Sequence, residues 1–337
     1  MTVPCLPLGA LHFFGILCCA RGSWSTQPLL VLPRSGGGMQ QGLGAARRNM
    51  LGMSVLGGGR AGSRQAHCQR LSLRLRLWGR GGAPGKLTAP CLSSLGTTWM
   101  QEILTLIHSK GDLEPARTIP NWARAPWLEH TYFKDMLQET SGPRLITTHL
   151  PCQVLAPALR KSRARVIYMA RNPKDVAVSF YHFHKMAKFL PDPGSFEDFL
   201  VRFLDGTVQY GSWFDHIKGW LSQRAQLDLF YITYEDLHQE LGRSVERLAD
   251  WLGCPLQPEE SRTIQQHCSF SSMRENTMVN YTLIPCEIMD HSRGRFMRKG
   301  TVGDWRDHFT PLQNMRFHKI YQEEMQDSSL RFHWLMD

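Results

Sequence analysis

Three short runs of β-forming residues, "RLITTHL", "ARVIYMA" and "LDLFYITY", are separated by longer stretches with helical spacing. The helical stretches include "KDVAVSFYHFHKMAKF", "SFEDFLVRFL", "GSWFDHIKGWLSQ" and "GRSVERLADWLG". Short apolar strands alternating with helices predict an α/β fold, a parallel, doubly wound sheet flanked by helices on both faces. Ligands in such sheets gather where the strands end. The polar residues at those ends are His149 after "LITT", Arg171 after "VIYMA" and Tyr234 after "LFYIT".

A second signal lies upstream, in "CLSSLGTTWMQEILTLIHSKGD" at residues 91–112. Gly96, Thr97 and Thr98 open directly onto an apolar-periodic run, the pattern of an anion loop leading into a helix N-terminus. No Gly-Lys-Ser/Thr triplet accompanies it, which argues against a nucleotide kinase that positions Mg²⁺ with that serine or threonine.

Charge divides the chain in two. Of 39 Lys and Arg, residues 1–90 hold 11 and no Asp or Glu, which leaves 28 basic against 29 acidic side chains in the remainder. The formal charge of +10 therefore belongs to the N-terminal segment, and nucleic acid is not the expected partner of the folded part. Acid-free stretches such as "SGGGMQQGLGAARR" and "LGGGRAGSR" predict a disordered, basic Gly/Arg-rich extension over residues 1–91, with one folded domain over 92–337. "LPLGALHFFGILCCARG" has the apolar core of a signal peptide but no basic residue before it. The nine cysteines show no CxxC pair, as expected for a cytoplasmic protein with free thiols and no metal. No 18-residue apolar run predicts a membrane span.

Two more clusters complete the candidate site. In "ARVIYMARNPKDVAVSFYHF" Arg171 leaves a strand, Pro173 suits the first helical turn and Ser179 lies further along the helix. Arg171 and Ser179 can clamp one phosphate from two sides, one as a charged fork and one as a hydroxyl donor. In "RFMRKGTVGDW", Arg298 and Lys299 stand beside Gly300, whose backbone can approach an anion closely. His149, at the mouth of such a site, is a candidate general base because imidazole titrates near neutrality.

"GTTWMQEIL", "WLE", "THLP", "RNPKDVAVSFYHF", "GSWFDHIKGW", "YEDL" and "RKGTVGDWRDHFT" occur in this order over roughly residues 96–325. Together they resemble the cytosolic sulfotransferase family, which transfers a sulfonate from 3′-phosphoadenosine 5′-phosphosulfate (PAPS) to hydroxyl or amine acceptors. "GTVQYGSWFDHIKGW" and "NTMVNYTL" are most similar to the alcohol or hydroxysteroid subfamily. The resemblance implies a central parallel sheet with a P-loop-like anion loop. It places Gly96, Thr97, Thr98 and Trp99 at the 5′-phosphosulfate. It assigns Arg171, Ser179, Arg298, Lys299 and Gly300 to the 3′-phosphate, and Trp99, Tyr234 and Met273 to the nucleotide's surroundings. His149 is the implied base and Trp122, Trp127 and Tyr281 the implied walls of an apolar acceptor pocket. PAPS is the implied co-substrate, a lipophilic alcohol or phenol the implied acceptor, and no metal is required.

The chain departs from the family pattern at four places. Where the family loop reads Tyr-Pro-Lys-Ser-Gly-Thr-Thr-Trp, this chain has Leu92-Ser93-Ser94-Leu95-Gly96-Thr97-Thr98-Trp99. Ser94 replaces a lysine aimed at developing charge, a loss on the order of 10²–10³ in rate. "GGAPGKLTAPC" precedes the loop where a β-branched apolar run is expected, so the first strand is apparently missing. Cys268 stands at a position usually held by Ser or Thr near the nucleotide. The family's dimer signature appears as Arg306, Thr310-Pro311 and Met315, so a homodimer is implied with a degraded contact. A catalytically impaired homologue that binds the 3′-phosphoadenosine nucleotide or an apolar ligand without turnover is the alternative function.

Overall fold

The computed structural model describes residues 96–130 and 144–326, together with the backbone of two strand segments, 15–17 and 88–90. The strands are β1 (Gly15–Leu17), β2 (Thr88–Pro90), β3 (Thr147–Thr148), β4 (Arg165–Ala170) and β5 (Asp228–Thr233). β4 and β5 run parallel over their full length, from Arg165 opposite Asp228 to Ala170 opposite Thr233. On the other edge of β4, β2 pairs in parallel with residues 165–167 and β1 pairs antiparallel with residues 167–169. β1 also carries β3.

Among the described residues, two three-residue segments stand where a long central strand is expected before the anion loop. A parallel ladder through β2 leads toward the loop, but Pro90 has no N–H to donate. The antiparallel β1 departs from an all-parallel sheet. It comes from far upstream and needs no crossover helix, and an uncovered edge of β4 would leave backbone groups unpaired. The predicted disorder of residues 1–91 otherwise falls outside the described residues.

β4 alternates between two apolar layers because successive side chains point to opposite faces. Val166, Tyr168 and Ala170 enter one layer with Phe180, Phe199, Phe203, Trp213, Trp220 and Phe317. Ile167 and Met169 enter the other with Met100, Ile103, Leu104, Leu248 and Ile264. Helix α1 (Thr97–His108), which follows the anion loop, belongs to the second layer. After β4, α2 (Pro173–Met186) covers the first layer, along with α3 (Phe196–Leu204) and α4 (Trp213–Leu221). After β5 come α5 (Tyr234–Gln239), α6 (Leu241–Trp251), α7 (Pro258–His267) and α8 (Phe270–Glu275), and finally α9 (Pro311–Met325). Helices on both faces of parallel β4 and β5 realise the doubly wound arrangement.

Local signals set the helix starts. Asn172 caps α2 through its side chain to the Lys174 N–H at 2.9 Å, and Pro173 occupies the first turn. Ser195 and Thr233 form capping boxes with Asp198 and Asp236. Among the described residues, no helix is long and apolar enough to cross a membrane.

Candidate active site

The anion loop reaches the sheet through a glycine. Gly96 is the N-cap of α1 and no side chain caps that helix. A Cβ at Gly96 would lie 1.8 Å from the flexible end of Met169, Cε, and 3.2 Å from Tyr234 Cδ2, so the loop passes close to β4 and α5 here. Thr97 and Thr98 are buried in the first turn. An uncapped first turn presents backbone N–H groups and a positive dipole end, which suits an anion. Residues 91–95, with Ser94 and Leu95, lie outside the described residues.

A buried polar lattice holds α1 in place. Gln101 donates to Thr147 Oγ1 at 2.8 Å and to Ala125 O at 3.1 Å, and it accepts from Asn121 at 2.7 Å. Glu102 binds Arg124 at 2.7 Å and contacts His267 Nε2 at 2.8 Å. The partners come from three segments, residues 121–125, Thr147 and His267, and a half-satisfied version would be costly in a buried site. The sequence reading missed this lattice, because nothing local marks Gln101 and Glu102 as buried on a helix.

Arg171 sits at the end of β4, buried, with its guanidinium 4.0 Å above the Tyr234 ring. It donates to Thr301 O at 2.9 Å and lies 3.7 Å from Asp175 Oδ2. Trp99 meets the same Tyr234 ring edge-on at 5.4 Å. Tyr234 therefore joins the anion loop to the Arg171 fork. Ser179 is buried on α2, the helix that also carries Asp175.

Residues 298–300 are brought to Arg171 by a carboxylate absent from the sequence reading. Asp175 accepts from the Gly303 N–H at 2.8 Å and the Trp305 N–H at 3.0 Å. Gly300 has φ +69°, and a Cβ there would lie 2.2 Å from Phe270 Cδ2, so the turn requires glycine twice over. Arg298 and Lys299 both bind Asp304, and Lys299 also reaches Asp307 at 3.0 Å. Burial opposes ionisation of Asp304, but the hydrogen bonds from Lys299 and Arg298 outweigh it and hold the carboxyl below its usual range.

The histidine at the end of β3 has a different setting. His149 is fully buried, stacked on Trp127 with centroids 4.6 Å apart and flanked by Tyr210 at 5.0 Å. Its backbone N–H binds Glu129 Oε1, which also accepts from Thr148 Oγ1 at 2.8 Å. Burial pushes the Glu129 carboxyl up to about 7, despite those hydrogen bonds. Glu129 was visible in the sequence only as the last residue of "WLE". Tyr281 adopts φ +65° and packs on Trp122 at 5.5 Å and Phe296 at 4.0 Å. Its phenol, which burial pushes above its usual range, is surrounded by Asn121, Thr98 and Trp127.

Trp122, Trp127 and Tyr281 thus share one apolar layer, with Trp127 directly against His149. Met273 and Cys268 are buried in the opposite layer with α1, and burial pushes the Cys268 thiol well up, so it is an unreactive neutral group. The segment matched to the dimer signature starts α9. Thr310 caps it in a box with Gln313, and Pro311 takes the first helical position, where a missing N–H costs nothing within the helix. Leu312 and Met315 are 69% and 64% exposed.

The cations and the loop fit a phosphorylated nucleotide. Trp99 Nε1, Arg171 Nε and Arg298 Nε are buried donors without a hydrogen-bond partner. Buried donors of this kind are satisfied when a ligand supplies acceptors.

Residues 94–329 match the family model described as "Sulfotransferase domain". Human Sulfotransferase 2B1 is 49% identical over 230 residues, 68% of this chain and 63% of that protein's length. A crystal structure of retinol dehydratase in a complex with retinol and PAP is similar with a TM-score of 0.64 and 25% identity, covering 72% of this chain and 81% of that one. Mouse sulfotransferase SULT7A1 complexed with PAP is similar with a TM-score of 0.57 and 28% identity, covering 71% and 84%. The anion loop, the Arg171 fork and the buried histidine all fall inside the matched span, and the chain belongs to the sulfotransferase family.

Proposed function

We propose that this chain is a PAPS-dependent sulfotransferase acting on the hydroxyl of a small lipophilic, steroid-like alcohol. One observation carries the reading: the Gly96 loop, Trp99 and Arg171 meet on a single ring, Tyr234, at the carboxyl ends of β4 and β5. The relatives solved with PAP support the choice of nucleotide, and the one solved with retinol supports a lipophilic alcohol.

In this reading the first turn of α1, from Gly96 through Trp99, binds the 5′-phosphosulfate with backbone and hydroxyl donors. Arg171, Ser179, Arg298, Lys299 and Gly300 hold the 3′-phosphate, with Asp175 fixing the turn that carries the last three. Tyr234 and Trp99 pack around the nucleotide, and Met273 supports that wall from the core. Trp122, Trp127 and Tyr281 line the acceptor side. PAPS supplies the sulfonate and the leaving phosphate. His149 removes the hydroxyl proton as the acceptor oxygen bonds to sulfur and the sulfur–oxygen bond to the phosphate breaks. Trp127 and Tyr210 keep water from the imidazole, which strengthens the fixed dipoles around it.

Ser94 in place of the loop lysine favours a second reading, nucleotide binding without appreciable turnover. Calorimetric titration with 3′,5′-ADP beside a sulfonate-transfer assay separates the two. Binding with transfer supports the first reading, and binding alone supports the second. Absence of binding overturns both.

A further inference from the structure

The first turn of α1 and the strand end that carries His149 are joined through one amide. Gln101 lies one helical turn beyond Thr97 on the same face of α1 and is fully buried. Its Nε2 donates to Thr147 Oγ1 at 2.8 Å and to Ala125 O at 3.1 Å, and its Oε1 accepts from Asn121 Nδ2 at 2.7 Å. Thr147 Oγ1 donates in turn to the same Ala125 O at 2.8 Å. A carbonyl oxygen only accepts, so Ala125 O fixes which end of the Gln101 amide faces it. Thr147 Oγ1, its own proton already given to Ala125, is left to accept the second amide proton.

Beyond that amide stands a body with its own internal bonds. The Thr147 N–H donates to Pro126 O at 2.9 Å, and the Leu128 N–H donates to Thr147 O at 2.8 Å. Glu129 accepts from the His149 N–H and the Thr148 hydroxyl, and Trp127 stacks on the His149 ring. Residues 125–129 and 147–149 therefore form one hydrogen-bonded body, and Gln101 ties it to α1. β3 adds only two residues of ladder. The tie lies about 6 Å along α1 from Thr97 and about 7 Å along the chain from His149, so a shift there reaches both ends. Apolar packing tolerates sliding, whereas a buried amide with every donor and acceptor paired holds one register.

We propose that Gln101 is a positioning residue for sulfonate transfer: its amide sets the separation between the first turn of α1 and the His149 ring. The proposal rests on the assignment of that turn to the 5′-phosphosulfate and of His149 as base. Gln101 touches neither nucleotide nor acceptor in this role. It keeps the groups on either side within attack distance, about 3–3.5 Å between reacting atoms.

The test compares three variants. Gln101→Met keeps the side-chain length and removes all three hydrogen bonds, Thr147→Val removes only the threonine hydroxyl, and Thr147→Ser keeps that hydroxyl. Titration with 3′,5′-ADP, sulfonate transfer and the NMR signal of the ¹³C-labelled His149 ring, with and without saturating 3′,5′-ADP, are read on each. We expect all three to bind 3′,5′-ADP as the parent does. Gln101→Met should lose about 10²-fold in kcat with little change in KM for the nucleotide, the scale of a reacting group displaced by about 1 Å. Thr147→Val should lose less, because Gln101 keeps Ala125 and Asn121, and Thr147→Ser should match the parent. Combining Gln101→Met with Thr147→Val should cost no more than Gln101→Met alone, since both break the same link. The displacement of the His149 signal by 3′,5′-ADP should shrink in Gln101→Met and Thr147→Val and keep the parent value in Thr147→Ser. If Gln101→Met does not fold, the two Thr147 variants decide. An unchanged kcat and an unchanged displacement in the folded variants overturn the proposal. So does equal behaviour of Thr147→Val and Thr147→Ser, or a loss of 3′,5′-ADP affinity as large as the loss of kcat. If the parent binds 3′,5′-ADP but transfers nothing, the transferase reading fails and the His149 displacement alone decides the role of Gln101. If the parent binds no 3′,5′-ADP, both fall.

Discussion

The cationic arm of the candidate site and the arm that carries His149 are built on opposite principles. At the cationic arm, Arg171, Arg298 and Lys299 face carboxylates of the chain itself, Asp175 and Asp304, and the turn between them is held by backbone N–H groups. At the His149 arm, the imidazole is enclosed by Trp127 and Tyr210, and Glu129 beside it is pushed toward neutrality by burial. The first suits a ligand that arrives and leaves as an anion. The second suits a proton transfer that water would disturb.

The largest expected effect separates the arms outright. His149→Ala should lower transfer by about 10²–10⁴-fold while 3′,5′-ADP binding, measured by titration, stays as in the parent. Unchanged transfer would remove His149 from the role of base. Restoring Pro-Lys-Ser at Ser93, Ser94 and Leu95 should raise transfer by about 10²–10³-fold, because a cation would again meet the leaving phosphate. No gain in a transfer assay would point instead to the short β1 and β2 segments beside the loop as the limiting feature.

Asp175→Ala attacks the cationic arm from below. It leaves the buried N–H groups of Gly303 and Trp305 without acceptors and should cost about 3 kcal/mol in urea unfolding, with a fall in 3′,5′-ADP affinity. A variant as stable as the parent would show that the 300–305 turn is held by other contacts. Glu129→Gln tests the His149 arm at smaller scale. A carboxyl raised from 4.5 to about 7 favours the folded state fully only below pH 4.5, and that contribution is lost as pH rises through 7. The parent should therefore lose at most about 3 kcal/mol of relative stability over that interval, and Glu129→Gln should lose less. Equal melting-temperature differences at pH 5 and pH 8 would refute the shifted carboxyl.

Much of the arrangement was legible along the chain. Strand–helix alternation located β4 and β5 within a residue or two, and His149, Arg171 and Tyr234 directly follow β3, β4 and β5 as expected. Those signals are local: a β-branched run, a cap, a proline in the first turn. Less legible was β3, where "RLITTHL" yields only Thr147–Thr148 as strand. Asp175, Asp304 and Glu129 were passed over for one reason. Each lies in a stretch already explained by helix or turn chemistry, and its second role exists only when a distant segment arrives.

The sequence by itself determined the alternating elements, the glycines and the family, because helix caps, side-chain period and short motifs depend on neighbours in the chain. Tertiary structure alone decided that one ring, Tyr234, joins the loop to Arg171, that Gly300 is forced by Phe270, and that the His149 N–H is held by Glu129. These are contacts between residues far apart in the chain, from Glu129 with His149 at 20 positions to Gly96 with Tyr234 at 138. No local pattern encodes such contacts, since packing brings the partners together only after the elements have formed.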